Sequence, residues 1–514
     1  MNSQTNQVVS PTAVSLNRSV RASSYVIYVD LKDEPDHLLL VHGYSGAYDR
    51  VPKTVAQFIR SLDVTPRHKP MFGEWSDRPA FADISKQVTE DLFEHLVRRG
   101  YLTALTVDEE LSHFKDLANS LHKSGARPEY IFMPTYDCNL RCPYCFQDHM
   151  RTDEKNRHLL RRMSEETVDR IFRAIPDIEE QCGFSPTEPF TRDVGFFGGE
   201  PFLKANYPIV KMIIDRARAL GKASFWAISN ATDLHEYADL LGPELIARLQ
   251  ITLDGPQSLH DARRIYPDGK GSFQLIASNI TMALERGVAV GVRVNFDRAN
   301  LPSAPELAQT IINYGWNKFP NFAAYAAPIV ASNGKTTQKS TFGSLELFRA
   351  LTKMRMVHPE LGILSRPDDR LVIMAHQVFQ TGIQPMFQAT FCGAQNGLFI
   401  FDSFGDAYAC LERTGDRRLR IGHVNEEGVV VINEQIYNMW RTRNVTRNDT
   451  CSRCRYALSC GGGCAILAEA HSGGFNQNYC DGYQARFRSC IAEAYSDFRA
   501  GKHAAVRVSR ACHA

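Results

Sequence analysis

The sequence predicts an α/β protein, a parallel sheet with outer helices set between a small α+β module and a cysteine-rich C-terminal segment. Three observations carry this. Strand and helix patterns alternate from about residue 128 to Val294. Before them lie a hairpin pattern and short helices, and after Phe391 the alternation fails and Cys, Gly and short strands take over. The 514 residues suggest about three domains at roughly 150 residues each. A hydrophobic fraction of 44% with 23% charged residues argues against disorder throughout. With 59 Lys+Arg against 57 Asp+Glu, bulk electrostatic capture of nucleic acid is not expected. No run approaches the ~20 apolar residues that span a bilayer. The opening MNSQTNQVVSPTAVSLNRSV lacks the apolar centre of an export signal, so a cytoplasmic protein with no membrane partner is expected.

In chain order, residues 1–22 are polar and read as a flexible arm. Tyr25–Val29 and Leu38–Val41, joined by the polar Lys32–Asp36, predict a hairpin. Val55, Phe58, Ile59 and Leu62 recur at helical spacing, as do Val88, Leu92, Phe93, Leu96 and Val97 before the Gly100 stop. A short strand at Tyr101-Leu102 completes a module over 23–105, and 106–127 reads as a helical connector. From 128, strands are predicted at Tyr130–Met133, Val194–Phe197, Phe225–Ile228, Leu249–Leu253 and Val288–Val294. Helices fall between them, one over Ser164–Ala174 with Ser164 as N-cap, one carrying Ile209 to Leu220, one carrying Phe273 to Leu284. Residues 331–345 form a polar boundary, and short strands follow at Leu398–Phe401 and Val429–Ile432.

Thirteen cysteines, none before Cys138 and nine from Cys392 onward, suit metal thiolates better than disulfides in a chain without an export signal. Cys138, Cys142 and Cys145 form C-x3-C-x2-C directly after the Tyr130–Met133 strand. Three thiolates on such a loop suit a [4Fe–4S] cluster with one open iron; a zinc site completed elsewhere, or unrelated buried thiols, is the alternative.

With Tyr144 before the last cysteine, this loop resembles the signature of radical S-adenosylmethionine enzymes. Gly198-Gly199-Glu200-Pro201 at the next strand end resembles that family's GGEP motif, which implies contact with the methionine moiety of the cofactor. Glycines allow close backbone approach, and a carboxylate suits an ammonium. Ser229-Asn230 resembles the S/T-N-G element, with Ala231 in place of the usual glycine. Thr252-Leu253-Asp254-Gly255-Pro256, then His260-Asp261 and Arg264, is similar to the S-x-D-G-P…H-D-x-x-R stretch of peptide-modifying members. Thr252 and Arg264 thereby inherit cofactor contacts, Asp254 is either catalytic or a turn residue, and Arg293 and Asn295 are expected to face the same cavity.

Cys392 and Cys410 flank Gly405, and Cys451, Cys454, Cys460 and Cys464 follow C-x2-C-x5-C-x3-C, with Cys480 beyond. This order resembles the SPASM domain. The resemblance implies one auxiliary cluster on Cys451, Cys454, Cys460 and Cys480, and another on Cys392, Cys410 and Cys464, for which no fourth ligand stands just upstream of Cys392. An open iron or a borrowed ligand such as Cys490 would answer that vacancy; Cys182 and Cys512 read as bystanders. A zinc ribbon would fit Cys451/Cys454 and Cys460/Cys464 alone. Sulfatase-maturing relatives carry an acid directly after the second SPASM cysteine, where this chain has Leu411 and then Glu412.

The implied architecture is a partial (β/α)6 TIM-like barrel over 128–345, a winged-helix-like peptide-recognition module over 23–105, a bridging region over 346–390, an Fe–S SPASM domain over 391–495 and a tail over 496–514. The implied function is radical chemistry on a ribosomally made precursor peptide, using S-adenosylmethionine, three [4Fe–4S] clusters and a reductant such as flavodoxin or ferredoxin. The leader would be held by the N-terminal module through strand addition; a structural cap or dimer contact is the alternative for that module. Crosslinking, epimerisation and other oxidation are all compatible with the motifs. Formylglycine formation on a sulfatase is the alternative within enzymes; an iron–sulfur electron carrier or a zinc-stapled binding module is the alternative outside them.

Overall fold

A computed structural model of the chain describes residues 20–64, 89–184, 190–330, 336–337 and 339–502. Residues 1–19 of the arm expected over 1–22, Val88, loop residues 331–335 and 338, and the part of the 496–514 tail past 502, Cys512 included, lie outside these. The chain divides into two compact units. One holds the chain up to Lys123, Leu371–Ala389 and the stretch from Asn444; the other holds Ser124–Arg370 and Thr390–Arg443. No helix among the described residues is long and apolar enough to cross a membrane.

The first unit contains β1 (Arg21–Ala22), β2 (Val26–Asp30), β3 (His37–His42), β4 (Tyr48–Pro52) and β5 (Leu102–Thr103). β2, β3 and β4 form an antiparallel meander, with Val26 opposite His42 and Asp30 opposite Leu38. β2 and β3 are near-continuous apolar runs because both of their faces are covered. Val26, Tyr28, Leu38 and Leu40 pack with Phe58 and Ile59 of the helix Lys53–Ser61, and with Leu96 and Tyr101. On the other side Tyr25 stacks on Phe114 of the helix Val107–Ser124, their rings 4.7 Å apart, in a core shared with Val445, Cys451, Ala457 and Leu458. Two features escaped the sequence. Arg21-Ala22, at the end of the stretch read as an arm, is β1 and pairs with β5. β4 buries only Val51 and ends on Pro52, the weak pattern of an edge strand.

A buried polar knot pins this unit. Glu110 accepts from Arg21 Nη2 (2.8 Å), Ser23 Oγ (2.5 Å), Ser24 N (3.0 Å) and the Tyr44 hydroxyl (3.3 Å). Four donors offset the desolvation of a carboxylate with no exposed surface. His42 Nδ1 accepts from Ser45 N, so its Nε2 carries the proton and donates to Ser23 Oγ at 2.9 Å. Ser23 Oγ in turn donates its hydrogen bond to Glu110 Oε1. The direction is opposite to that of a serine nucleophile activated by histidine, and the trio is structural.

The second unit is built on one sheet: β6 (Glu129–Phe132), β7 (Arg192–Phe196), β8 (Ala223–Ser229), β9 (Ile246–Thr252), β10 (Ala289–Phe296), β11 (Phe322–Pro328), β12 (Leu364–Ser365), β13 (Leu398–Phe401), β14 (Asp406–Tyr408), β15 (Gly422–Val424) and β16 (Val430–Ile432). The order β12-β11-β10-β9-β8-β7-β6 is parallel throughout; β13 adds in parallel beside β6, and β14 to β16 continue antiparallel. Helices return the chain between the parallel strands, as right-handed crossovers require. Ser164 caps the helix Glu165–Gln181 by accepting from Thr167 N, as its sequence position predicts. The fold is thus the TIM-like α/β arrangement expected, with two additions. The sixth parallel strand β11, FAAYAAP, was hidden by its alanines and final proline. β13 was expected in a separate metal-stapled segment, but its ladder from Leu398–Glu129 to Phe401–Phe132 makes it part of the parallel sheet.

Candidate functional site

In a parallel α/β sheet the loops at the carboxyl ends of the strands share one face, where such folds carry their chemistry. The loop after β6 holds Cys138, Cys142 and Cys145. The turn after β7 holds Gly198 to Pro201, β8 ends on Ser229, and Asp254 and Asn295 follow or close β9 and β10. Thr252 and Arg293 are register partners on neighbouring strands.

The glycine turn docks on the cysteine loop. Gly199 N donates to Thr135 O (3.1 Å) and Glu200 N to Asp137 O (2.8 Å). A Cβ on Gly198 would stand 2.4 Å from Thr135 O, and one on Gly199 2.1 Å from Asp137 O. Both glycines are therefore demanded by the approach of the loop that carries the cysteines. Glu200, almost wholly buried, accepts from Phe202 N (2.9 Å), Ser229 Oγ (2.7 Å) and Asn230 N (2.6 Å). Burial pushes its carboxyl up to about 7, against the pull of those donors. The carboxylate braces the ends of β7 and β8 together. Asn230 Nδ2 reaches Asn139 Oδ1 (2.9 Å) and Cys138 Sγ (3.7 Å). Ala231 sits at φ +62°.

A second group closes over Tyr144. Its hydroxyl donates to Asp254 Oδ2 and accepts from Arg264 Nη1 at 2.9 Å, while Arg263 lies over its ring. Burial, then the nearby Asp254, keeps this phenol well above its usual range. Asp254 Oδ1 accepts from Asn295 N (3.3 Å), and Asn300 Nδ2 ties Asp254 O (2.8 Å) to Asn295 O (2.9 Å). Arg293 Nε donates to Asn295 Oδ1 at 2.8 Å. Glu412 lies in the electrostatic range of Arg293; burial raises its carboxyl and Arg413 and Arg293 oppose that rise.

Cys142 lies within electrostatic range of Cys138 and Cys145, and burial pushes the Cys138 thiol up to about 12. In the other unit, Cys454, Cys451 and Cys480 lie within electrostatic range of Cys460, and burial pushes the Cys460 thiol up to about 12. Cys464 neighbours Tyr479. Cys392 and Cys410 are the N-caps of short turns on either side of the β13–β14 hairpin. Among the described residues, no three His, Cys, Asp or Glu side chains are drawn in tightly enough to hold a metal ion as they stand. The cysteine sets are neighbourhoods rather than closed coordination shells. The residues beside the first set still fit an anionic group: Arg151 donates Nη2 to Cys145 Sγ at 3.4 Å, and its Nε and Nη1, like Nε of Arg264, are buried without an acceptor.

Sequence reasoning missed Asn139, Arg151, Arg263 and Asn300. Nothing local marks them; each gains its role from a residue distant in sequence or from the fold of the loop itself. Arg151 stands in a polar run, HMRTDEKNR, that reads as solvent-facing.

Comparison with known proteins bears on this face. Residues 132–301 match the sequence model of the Radical SAM superfamily. A cysteine-type anaerobic sulfatase-maturating enzyme of Clostridium novyi is 29% identical over 150 residues, 28% of this chain and 37% of that relative. The match thus spans little more than a third of the relative's length. Among solved structures, native anSMEcpe with bound AdoMet covers 73% of this chain and 100% of its own at 14% identity and a TM-score of 0.51. SuiB of Streptococcus suis bound to precursor peptide SuiA covers 89% of this chain and 98% of its own at 14% identity and a TM-score of 0.45. The matched segment begins on the last residue of β6 and runs through the cysteine loop, the glycine turn and the Tyr144–Asp254–Arg264 group. Residues 132–301 are thus similar to a radical SAM domain, and this segment carries the resemblance to the Radical SAM superfamily.

Proposed function

We propose that the chain is a radical S-adenosylmethionine oxidoreductase that takes a hydrogen atom from a residue of a ribosomally made precursor peptide, giving an oxidative crosslink or a similar modification. The observation that supports this is the docking of the glycine-acid turn and Asn230 on the three-cysteine loop, at the carboxyl ends of one parallel sheet. The cofactors proper to the domain are S-adenosylmethionine and a [4Fe–4S] cluster, which when bound supply one-electron cofactor cleavage and hydrogen abstraction. In our reading Cys138, Cys142 and Cys145 hold that cluster. Gly198, Gly199, Glu200, Pro201, Ser229, Asn230, Thr252, Arg264 and Asn295 shape the cofactor pocket.

Tyr144 is a rigid wall beside Cys145, because Asp254 and Arg264 fix its hydroxyl. Asp254, buried and held by Asn295 and Tyr144, orients that wall, and Glu412 is our candidate for handling the substrate proton. Cys451, Cys454, Cys460 and Cys480 would hold an auxiliary cluster, one of two that bring the total to three. The β2–β4 meander offers a sheet on which a leader peptide can add as a strand. A flavodoxin or ferredoxin would deliver electrons. Formylglycine formation is the second reading, favoured by the identity to the Clostridium novyi sulfatase-maturating relative.

The test is anaerobic incubation of reconstituted, reduced protein with S-adenosylmethionine and a short peptide encoded beside its gene. 5′-Deoxyadenosine is measured alongside the peptide mass. Loss of two hydrogens marks a crosslink, and unchanged mass with deuterium uptake marks epimerisation. Conversion of a sulfatase-type Cys or Ser peptide instead would establish the second reading. Cys142→Ala is expected to abolish 5′-deoxyadenosine while auxiliary iron remains; intact cleavage would sink the assignment.

A further inference from the structure

We propose that Arg151 is a positioning residue for the radical cluster: its fixed charge and spare N–H groups face the Cys138/Cys142/Cys145 set and make the bound cluster easier to reduce. This rests on the reading of those cysteines given above. Arg151 stands on the short helix Asp148–Thr152 that follows the last cysteine. Among the described residues its one hydrogen bond is from Nη2 to Cys145 Sγ, 3.4 Å away. Cys138 and the acidic Asp148 of its own helix lie within its electrostatic range. Cys142 also feels it. Among the described residues Nε and Nη1 are buried with no acceptor, and Gln147, four residues earlier, carries a buried Nε2 with no partner there.

A guanidinium cannot escape burial by losing its proton. Leaving its N–H groups unpaired there is unfavourable unless an anionic acceptor arrives. The sulfurs of a thiolate-bound cluster are such acceptors. Hydrogen bonds to them and a nearby positive charge favour the more negative, reduced state. The other charges facing these cysteines are committed elsewhere. Glu200 is saturated by Ser229, Asn230 and Phe202, Asp254 is engaged with Tyr144 and Asn295, and Arg264 donates to Tyr144. Arg151 is the cation whose protein bonding is confined to a cluster cysteine. The step concerned is uptake of one electron from an external one-electron reductant; no bond is made or broken.

The experiment poises the reconstituted full chain anaerobically with dithionite and viologen mediators. EPR then reads the reduced radical cluster, identified as the signal that changes on adding S-adenosylmethionine. At the wild-type midpoint, Arg151→Met is expected to shift the reduced-to-oxidised ratio at least tenfold toward oxidised, about 59 mV for a one-electron couple. Arg151→Lys, which keeps the charge, should stay within threefold. Iron lost from Arg151→Met but kept in Arg151→Lys supports the same role. A smaller shift in Arg151→Met at equal iron content overturns it, and so does loss of iron from both variants, which marks packing alone. Wild-type protein with no signal responsive to S-adenosylmethionine removes the cluster reading itself, an outcome distinct from the others.

Discussion

The two cysteine-bearing regions are held in opposite ways. In the radical SAM domain the loop with Cys138, Cys142 and Cys145 is fixed by protein contacts. Gly199 and Glu200 bond its backbone, Asn230 bonds Asn139, and Tyr136 just before it donates to the buried Asp402 at 2.9 Å. Around Cys451, Cys454, Cys460 and Cys480 regular structure is scarce: two helices of four residues, then Gly461, Gly462 and Gly463 all at positive φ. A site braced by its scaffold can lose its metal and keep its shape. One built from turns folds with its metal.

The sharpest way to break this contrast is to remove one thiol from each region. Cys460→Ala is expected to cost about 4 kcal/mol or more, roughly 10 °C in Tm for a unit of this size. Cys142→Ala should cost less than about 1 kcal/mol while losing its cluster. Differential scanning calorimetry under anaerobic conditions reads both. Equal losses would mean that the glycine turn and Asn230 do not brace the first loop.

Acid separates the regions next. Burial lowers His42 to about 4, from about 6.5 in an unfolded chain. Between those values the unfolded state binds more protons, so stability is full above pH 6.5 and is lost as pH falls toward 4, by about 3 kcal/mol. Glu200 has the opposite sign. Its carboxyl rises to about 7, the folded state binds more protons between 4.5 and 7, and its contribution to stability declines as pH rises through that window. Hydrogen exchange between pH 4.5 and 7 should therefore show β2 and β3 opening toward acid while the ends of β7 and β8 do not. His42→Gln should remove the acid sensitivity of the meander; an unchanged profile would place the titrating group elsewhere.

Glu200→Gln is a smaller probe of the braced region. The carboxylate takes three donors, and an amide presents its NH2 to at least one of them, so about 2 kcal/mol is expected from a near-isosteric change. The loss should show in thermal melts of protein without iron. A change confined to S-adenosylmethionine affinity would instead mean that Glu200 serves the cofactor more than the strand ends.

What the sequence made legible follows the same division. Strong local periods, such as Val288–Val294 or the Ser164-capped helix, were visible because each is decided within a few residues. β11 was not, since alanines give no alternating signal, and β13 could be read as a strand but not as a partner of β6, a pairing across more than 260 residues. In the site, the cysteines and glycines were visible because their chemistry is rare. The polar side chains that hold them, Asn139, Asn300 and Arg151, were not, because an Asn or Arg in a loop is ordinary until the fold buries it.

The smallest predicted effect lies at Ala231, a non-glycine residue held at positive φ. Its φ of +62° costs an alanine about 1 kcal/mol, yet the residue is wholly buried, its N–H donates to Ser229 Oγ and its carbonyl accepts from Asn279. Ala231→Gly relieves that strain but surrenders a buried methyl worth about 0.8 kcal/mol and frees the unfolded chain by about 0.5 kcal/mol. The terms nearly cancel, so thermal melts should move by less than about 0.5 kcal/mol. Ala231→Val cannot use the same offset, because a β-branched residue at positive φ is strongly disfavoured, and about 2 kcal/mol or more is expected. In the turn-built region Gly462 is itself buried at φ +86°, and a Cβ there would meet Cys451 Sγ at 3.7 Å and Val445 Cγ1 at 3.8 Å, so Gly462→Ala sets the same backbone strain against the burial of one methyl and should move the melt by less than about 1 kcal/mol.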